Sequence, residues 1–285
     1  MPFTVGFRRE GPVEGPVVGL AVGPSRQRVP GAASALTAGA VHGPLVRATV
    51  LGVHAPGLYL DVAGTVVPVV TADAVPLATA VRLTLASADA PWRELAAGDV
   101  VLVGEGLIRL PGCDIAAART WRPTRVRRLP SLECGSGGQG SHLRTHDGVE
   151  ALLGRGPGLT PAGDDALAGI LLVAHAHGVA GPVAAAVRER LGSTTAVSAA
   201  LLDAAADGYA AATVVALVDA AVAGDAAAVA RALPAVLAIG HTSGADLVIG
   251  IAAALRHLRP LRQLGHLCQT PTSTTHTTPI GWSAA

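Results

Sequence analysis

Up to about residue 103 the apolar positions come in short β-branched runs, at 45–53, 57–62, 65–70, 80–85 and 99–103, each stopped by Gly, Pro or Asp. Runs of this length with turn residues between them predict short strands, and their close spacing predicts a compact β-rich domain, a barrel or a sandwich. From residue 147 the period changes. The pattern predicts helices at 147–153, 161–177, 182–191, 195–207, 209–223, 226–238 and 243–257, with Gly154, Gly178, Gly192, Gly208 and Gly224 where C-caps are expected. The fold class is therefore α+β, a β-rich N-terminal domain followed by an α-helical bundle. We divide the chain into 1–130 (β-rich), 131–146 (Gly-rich linker), 147–268 (helical) and 269–285, a Thr-, Ser- and Pro-rich stretch expected to be a disordered tail.

Composition changes this picture only by exclusion. Charged residues make up 14% of the 285 residues and the formal net charge is +1, so nothing resembles the basic footprint of a nucleic-acid binder, and a small metabolite is the expected partner. The three cysteines, Cys113, Cys134 and Cys268, lack CxxC or zinc spacing, which fits a reducing compartment. Residues 1–9 carry no signal-peptide core, and the greasiest stretches, 166–180 and 210–224, fall short of the roughly 20 apolar residues of a membrane span. A cytoplasmic location is expected.

The candidate chemistry lies in a repeated loop. Gly158-x-Thr160 followed by Gly163-x-Asp165-x-x-x-Gly169 has its echo in Gly240-x-Thr242 followed by Gly244-x-Asp246-x-x-x-Gly250. Each copy predicts a glycine loop entering a helix, with Thr160 as the first N-cap, Pro161 at N1 and an aspartate in the first turns. Two such helix starts facing one cleft would offer backbone N–H groups to an anion and carboxylates at its edge. Neither copy is a phosphate-binding Walker loop, since no Gly-Lys-Ser/Thr follows. Asp165 and Asp246 occupy matching offsets, with Asp164 beside the first; they are candidates for holding a divalent ion such as Mg²⁺, for accepting a substrate N–H, or merely for pairing with helix dipoles. No cofactor is required by any motif. His241, inside the second loop, is placed to donate a hydrogen bond or a proton to a bound anion.

Other motifs carry less. Residues 135–140 match GxGxxG without a βαβ unit around them and read as linker. His142 and His146 have i, i+4 spacing but no glutamate between them, and His175 and His177 point to different faces of one helix. The hydroxyl-rich 193–198 segment reads first as helix capping.

Taken together and in order, Gly158-Leu159-Thr160-Pro161-Ala162-Gly163-Asp164-Asp165 with Gly169, Thr194-Thr195 with Ser198 and the 201–205 run, and Gly240-His241-Thr242-Ser243-Gly244 with Asp246 and Gly250 resemble the AllH family across residues 147–255. That family commonly has Gly-His-Ser-Ser-Gly in the second loop, and Thr242 keeps the hydroxyl. The resemblance implies a subunit of an oxamate carbamoyltransferase that works with FdrA-like and AllG-like subunits in the use of allantoin-derived nitrogen, with carbamoyl phosphate and oxamate or oxalurate as ligands. On chemical grounds Asp165, Asp246 and His241 are then the candidate catalytic residues, and Gly158, Thr160, Gly163, Asp164, Gly240, Thr242, Ser243 and Gly244 the candidate substrate contacts. Two alternatives stay open: a metal-assisted hydrolase using the paired aspartates, and a non-catalytic subunit whose glycine loops only pack helices.

Overall fold

The computed structural model describes residues 26–129 and 145–267. The 131–141 connector with its glycine run, His142, Cys134, Cys268 and the 269–285 tail lie outside the described residues, as does the side chain of His146.

The N-terminal part is a closed eight-stranded barrel of β1 (Gln27–Ser34), β2 (Val46–His54), β3 (Gly57–Val62), β4 (Thr65–Val70), β5 (Val81–Leu83), β6 (Val100–Gly104), β7 (Leu107–Leu110) and β8 (Cys113–Trp121), in the order β1-β5-β4-β3-β2-β6-β7-β8. A short helix α1 (Ala38–His42) follows β1. The ring closes where β8 lies parallel to β1, Gln27 opposite Cys113 and Ser34 opposite Trp121. Alternate residues point inward, as barrel geometry requires, and Ala48, Val50, Leu58, Leu60, Val67, Val69, Val101, Ile108 and Ile115 fill the interior. The hairpin β3–β4 turns on Ala63-Gly64, both at positive φ (50° and 86°), the backbone that matches strand twist in a two-residue loop.

Of the predicted strands, 57–62 and 65–70 coincide with β3 and β4, while 80–85 contracts to β5. The sequence reading omits β1, β7 and β8. Their local signals are weak: β1 contains Pro30 and Gly31 and needs a bulge there, and β8 is alanine-rich. Only long-range pairing makes them strands.

The helical part comprises α2 (Thr145–Leu152), α3 (Ala162–Ala176), α4 (Gly181–Arg188), α5 (Ala196–Ala206), α6 (Ala212–Ala223), α7 (Ala226–Leu237) and α8 (Ser243–Leu267). They enclose a second core around Leu167, Leu171, Leu172, Leu202, Val215, Val218 and Ile251, separate from the barrel core. Gly154, Gly178, Gly208 and Gly224 are left-handed helix terminators as expected, whereas Gly192 sits inside a 3₁₀ turn, Leu191–Ser193. Helix α6 starts three residues later than the sequence suggests. Tyr209 is held out of it by a β-bridge to Arg125.

The chain leaving β8 runs along this bundle, with the Val126 N–H donating to Gly208 O (2.9 Å) and the Leu129 N–H to Ala176 O (2.8 Å). These bonds fasten barrel to bundle. Leu159, in the first glycine loop, also touches the barrel at Gly52, where a Cβ would lie 3.0 Å from it.

Candidate functional site

Helices α3 and α8 are the matching halves of the sequence repeat, and they cross through their glycines. A Cβ at Gly169 would run into Leu247 O on α8, and one at Gly250 would run into Ala166 O on α3. The contacts are reciprocal, since Ala166 and Leu247 each follow the repeat aspartate. The loop glycines repeat the device one layer out: a Cβ at Gly163 would collide with Leu152 O of α2, and one at Gly244 with Val236 O of α7. Two helical hairpins, α2–α3 and α7–α8, thus meet with backbone against backbone at distances any side chain would widen.

This packing brings the two loops together. Thr160 Oγ1 and Ser243 Oγ are hydrogen-bonded at 3.1 Å across 83 positions of sequence. Thr160 is not the N-cap of α3; Pro161 holds that position at φ −55°, ψ 143° with no side-chain cap, which leaves the threonine hydroxyl to Ser243.

The expected cradle of glycine amides is not assembled from Gly163 and Gly244. The Gly163 N–H donates to Arg155 O (2.9 Å) and the Gly244 N–H to Ile239 O (3.0 Å), while Asp164 and Asp165 both donate their N–H groups to Pro161 O. These glycines are present because chain passes close behind them.

The three aspartates have separate fates. Asp164, 1% exposed, accepts from the Gly154 N–H (2.7 Å), from Ser198 Oγ (2.6 Å) and from Thr194 Oγ1, so its carboxylate is consumed in fastening the first loop to α5. Thr195 caps α5 by accepting from the Ser198 N–H (3.0 Å) and donates its own hydroxyl to Leu159 O. The Thr194, Thr195 and Ser198 hydroxyls are therefore all engaged within the fold. Asp165 and Asp246 differ, since each has an Oδ2 that is buried without a hydrogen-bond partner. Burial pushes the Asp165 carboxyl up to about 6; hydroxyl donation by Ser243 and Thr160 opposes that rise, and the Asp246 charge adds to it.

Asp165 borders a cavity of about 310 Å³ between bundle and barrel. Thr160, Gly240 and Ser243 line it from the repeated loops, while His54, Tyr59, Val70 and Leu77 face them from the barrel. Leu172, Leu201, Tyr209 and Leu247 complete a mostly apolar wall that includes no Lys or Arg among the described residues. Gly158, Gly163, Asp164, His241, Thr242, Gly244 and Asp246 are not part of that lining; His241 and Thr242 are exposed. The sequence reading missed the barrel wall. One signal pointed to it, because the chain has only two tyrosines, Tyr59 and Tyr209, and both reach this cavity.

The family model described as oxamate carbamoyltransferase subunit AllH matches residues 152–255, from the end of α2 to the middle of α8. Residues 152–255 are thus similar to the AllH family. The matched residues include both copies of the repeat and every helical residue that lines the cavity. No solved structure matches the chain. The barrel lies outside the AllH match. None of the described helices is long and apolar enough to cross a membrane, and no group of three or more His, Cys, Asp or Glu among the described residues could hold a metal ion.

Proposed function

We propose that this chain supplies the acceptor-amide half of a carbamoyltransferase site, acting with FdrA-like and AllG-like subunits on oxamate and carbamoyl phosphate in the use of allantoin-derived nitrogen. The observation that carries the reading is Asp165: a carboxylate with an unpartnered buried oxygen, flanked by two hydroxyls, at an apolar cavity of small-molecule size. Packing explains Asp164 and the glycines, but it leaves Asp165 Oδ2 without an employment.

The chemistry asks for such a group. In forming oxalurate the oxamate amide nitrogen attacks the carbamoyl carbon, the bond from that carbon to the phosphate oxygen breaks, inorganic phosphate leaves, and one N–H proton must be accepted. A carboxylate whose pKa is near 6 accepts that proton better than an ordinary aspartate while remaining mostly ionised at neutral pH. Thr160 and Ser243 orient it, and the starts of α3 and α8 favour the acceptor's own carboxylate. Cations for the phosphate come from the partner subunits in this reading, because the described lining offers none.

The test is reconstitution. The complex carrying Asp165→Asn should lose about 10²-fold or more in kcat for oxalurate formation, in the range general-base removal produces, with assembly unchanged. Full activity in that complex refutes the reading and favours the non-catalytic alternative, for which the four backbone-contacting glycines speak directly.

A further inference from the structure

The opposite end of α3 from Asp165 carries a second, chemically different cavity. It has a volume of about 340 Å³ and is lined by Arg125, Arg128, Arg188, His175 and Asp207, with the start of α4 at Ala180 and Gly181. Ten helical residues separate Asp165 from His175, or about 15 Å, so the two cavities are distinct.

The charges here do not balance. Arg188 is neutralised within the bundle, by Asp203 at 2.7 Å and Asp207 at 2.9 Å. Arg125 uses its Nε on Asp207 O (2.6 Å) and stacks over the Tyr209 ring at 5.1 Å, which fixes the guanidinium plane without meeting a carboxylate. Arg128 takes part in no ion pair or side-chain hydrogen bond among the described residues. Three guanidinium groups thus face two carboxylates, which leaves one net positive charge, with Arg125 and Arg128 outside any ion pair among the described residues; both act on the imidazole of His175, which is 2% exposed and bonded to the Ala206 backbone. Both arginines are exposed, and backbone anchors, the Val126 N–H to Gly208 O and the Leu129 N–H to Ala176 O, hold the segment carrying them against the bundle.

We propose that this cavity is a binding site for a phosphate-class oxyanion, held by Arg125 and Arg128. Two guanidinium groups brought to one cavity match an oxyanion in fork geometry, and the net positive charge favours an anion. The first turn of α4 contains no acidic residue, and the Asp207 carboxylate in the lining is engaged by Arg188 at 2.9 Å. The site stands independently of the chemistry assigned to the Asp165 cavity.

Titration calorimetry of the full chain with inorganic phosphate in low-chloride buffer tests this. Saturable binding is expected below about 10 mM, weakened at least tenfold by Arg128→Ala and abolished by Arg128→Glu, as removal and inversion of a charge-assisted partner require. The unfolding midpoint without phosphate should stay unchanged in Arg128→Ala, because the exposed side chain has no carboxylate partner to lose. Asp165→Asn should bind phosphate like the parent, which locates the heat away from the other cavity. Absence of saturable binding in the parent, parent-like affinity in both Arg128 variants, or loss of binding in Asp165→Asn would each overturn the proposal.

Discussion

Asp165→Asn should stabilise this protein, by an amount that grows with pH. The carboxyl titrates at about 6 in the folded chain against 3.8 as the reference for the unfolded one. Because the folded pKa is raised, protonation favours the fold. That stabilisation is complete below pH 3.8 and is lost as pH rises through about 6. At about 1.36 kcal/mol for each tenfold difference in proton affinity between the two states, the ionised folded group carries a penalty of about 1.6 kcal/mol at pH 5 and about 3 kcal/mol at pH 8. Solvent reaching this half-buried carboxyl screens part of that penalty, and halving it for screening leaves about 0.8 and about 1.5 kcal/mol. Asparagine keeps the shape and removes both the desolvated charge and its repulsion with Asp246. At roughly 2–4 °C per kcal/mol for a chain of this size, the melting point should rise by about 2–3 °C at pH 5 and about 3–6 °C at pH 8. Thermal and urea unfolding of parent and variant at both pH values is the assay, with the exposed Glu150→Gln as control. An equal gain at the two pH values, or a loss at pH 8, would refute the desolvated-carboxylate account. A gain at pH 8 alongside lost turnover in the complex would show a group kept at a cost to stability for its chemistry.

Gly169→Ala and Gly250→Ala should each cost about 3 kcal/mol or more, since the methyl meets backbone of the crossing helix and cannot be accommodated by a rotamer change; a smaller drop in urea midpoint would show that α3 and α8 part easily. Asp164→Ala should cost about 3–5 kcal/mol because one N–H and two hydroxyls lose their buried acceptor, and this should appear in the same unfolding curves irrespective of any ligand. Thr195→Val should cost about 1 kcal/mol through loss of the α5 cap, with thermal melting as the check.

The bundle was largely legible in the sequence because its stops are chemical: Gly154, Gly178, Gly208 and Gly224 take the left-handed backbone that ends a helix. The barrel was legible only in its middle strands, where β-branched runs are bounded by Gly, Pro or Asp. At β1, with Pro30 and Gly31, and at alanine-rich β8, the strand state comes from partners far along the chain. The duplicated loops singled out Thr160, Asp165 and Ser243, which line one cavity, but a glycine needed for chain passing behind a helix and one needed for ligand approaching in front give the same letter. Gly163 and Gly244 both have a backbone carbonyl close behind them, and their N–H groups donate within the fold. Tyr59 and His54 escaped because the wall they form arises only when barrel and bundle are set side by side.

The parallel seam between β1 and β8 has a consequence in time. Arg26 bonds Asp114, 88 positions on, so the first strand of the ring waits for the last before its outer edge is covered. Loop closure over that span is slow compared with forming the local β2–β3–β4 meander. During synthesis the meander exists first, with β1 an unpaired ribbon beside it, and the same 113–121 segment that seals the ring then aims the chain at the bundle. A chain cut before residue 113 should therefore expose two open strand edges and aggregate, whereas one extended to residue 129 holds a complete ring.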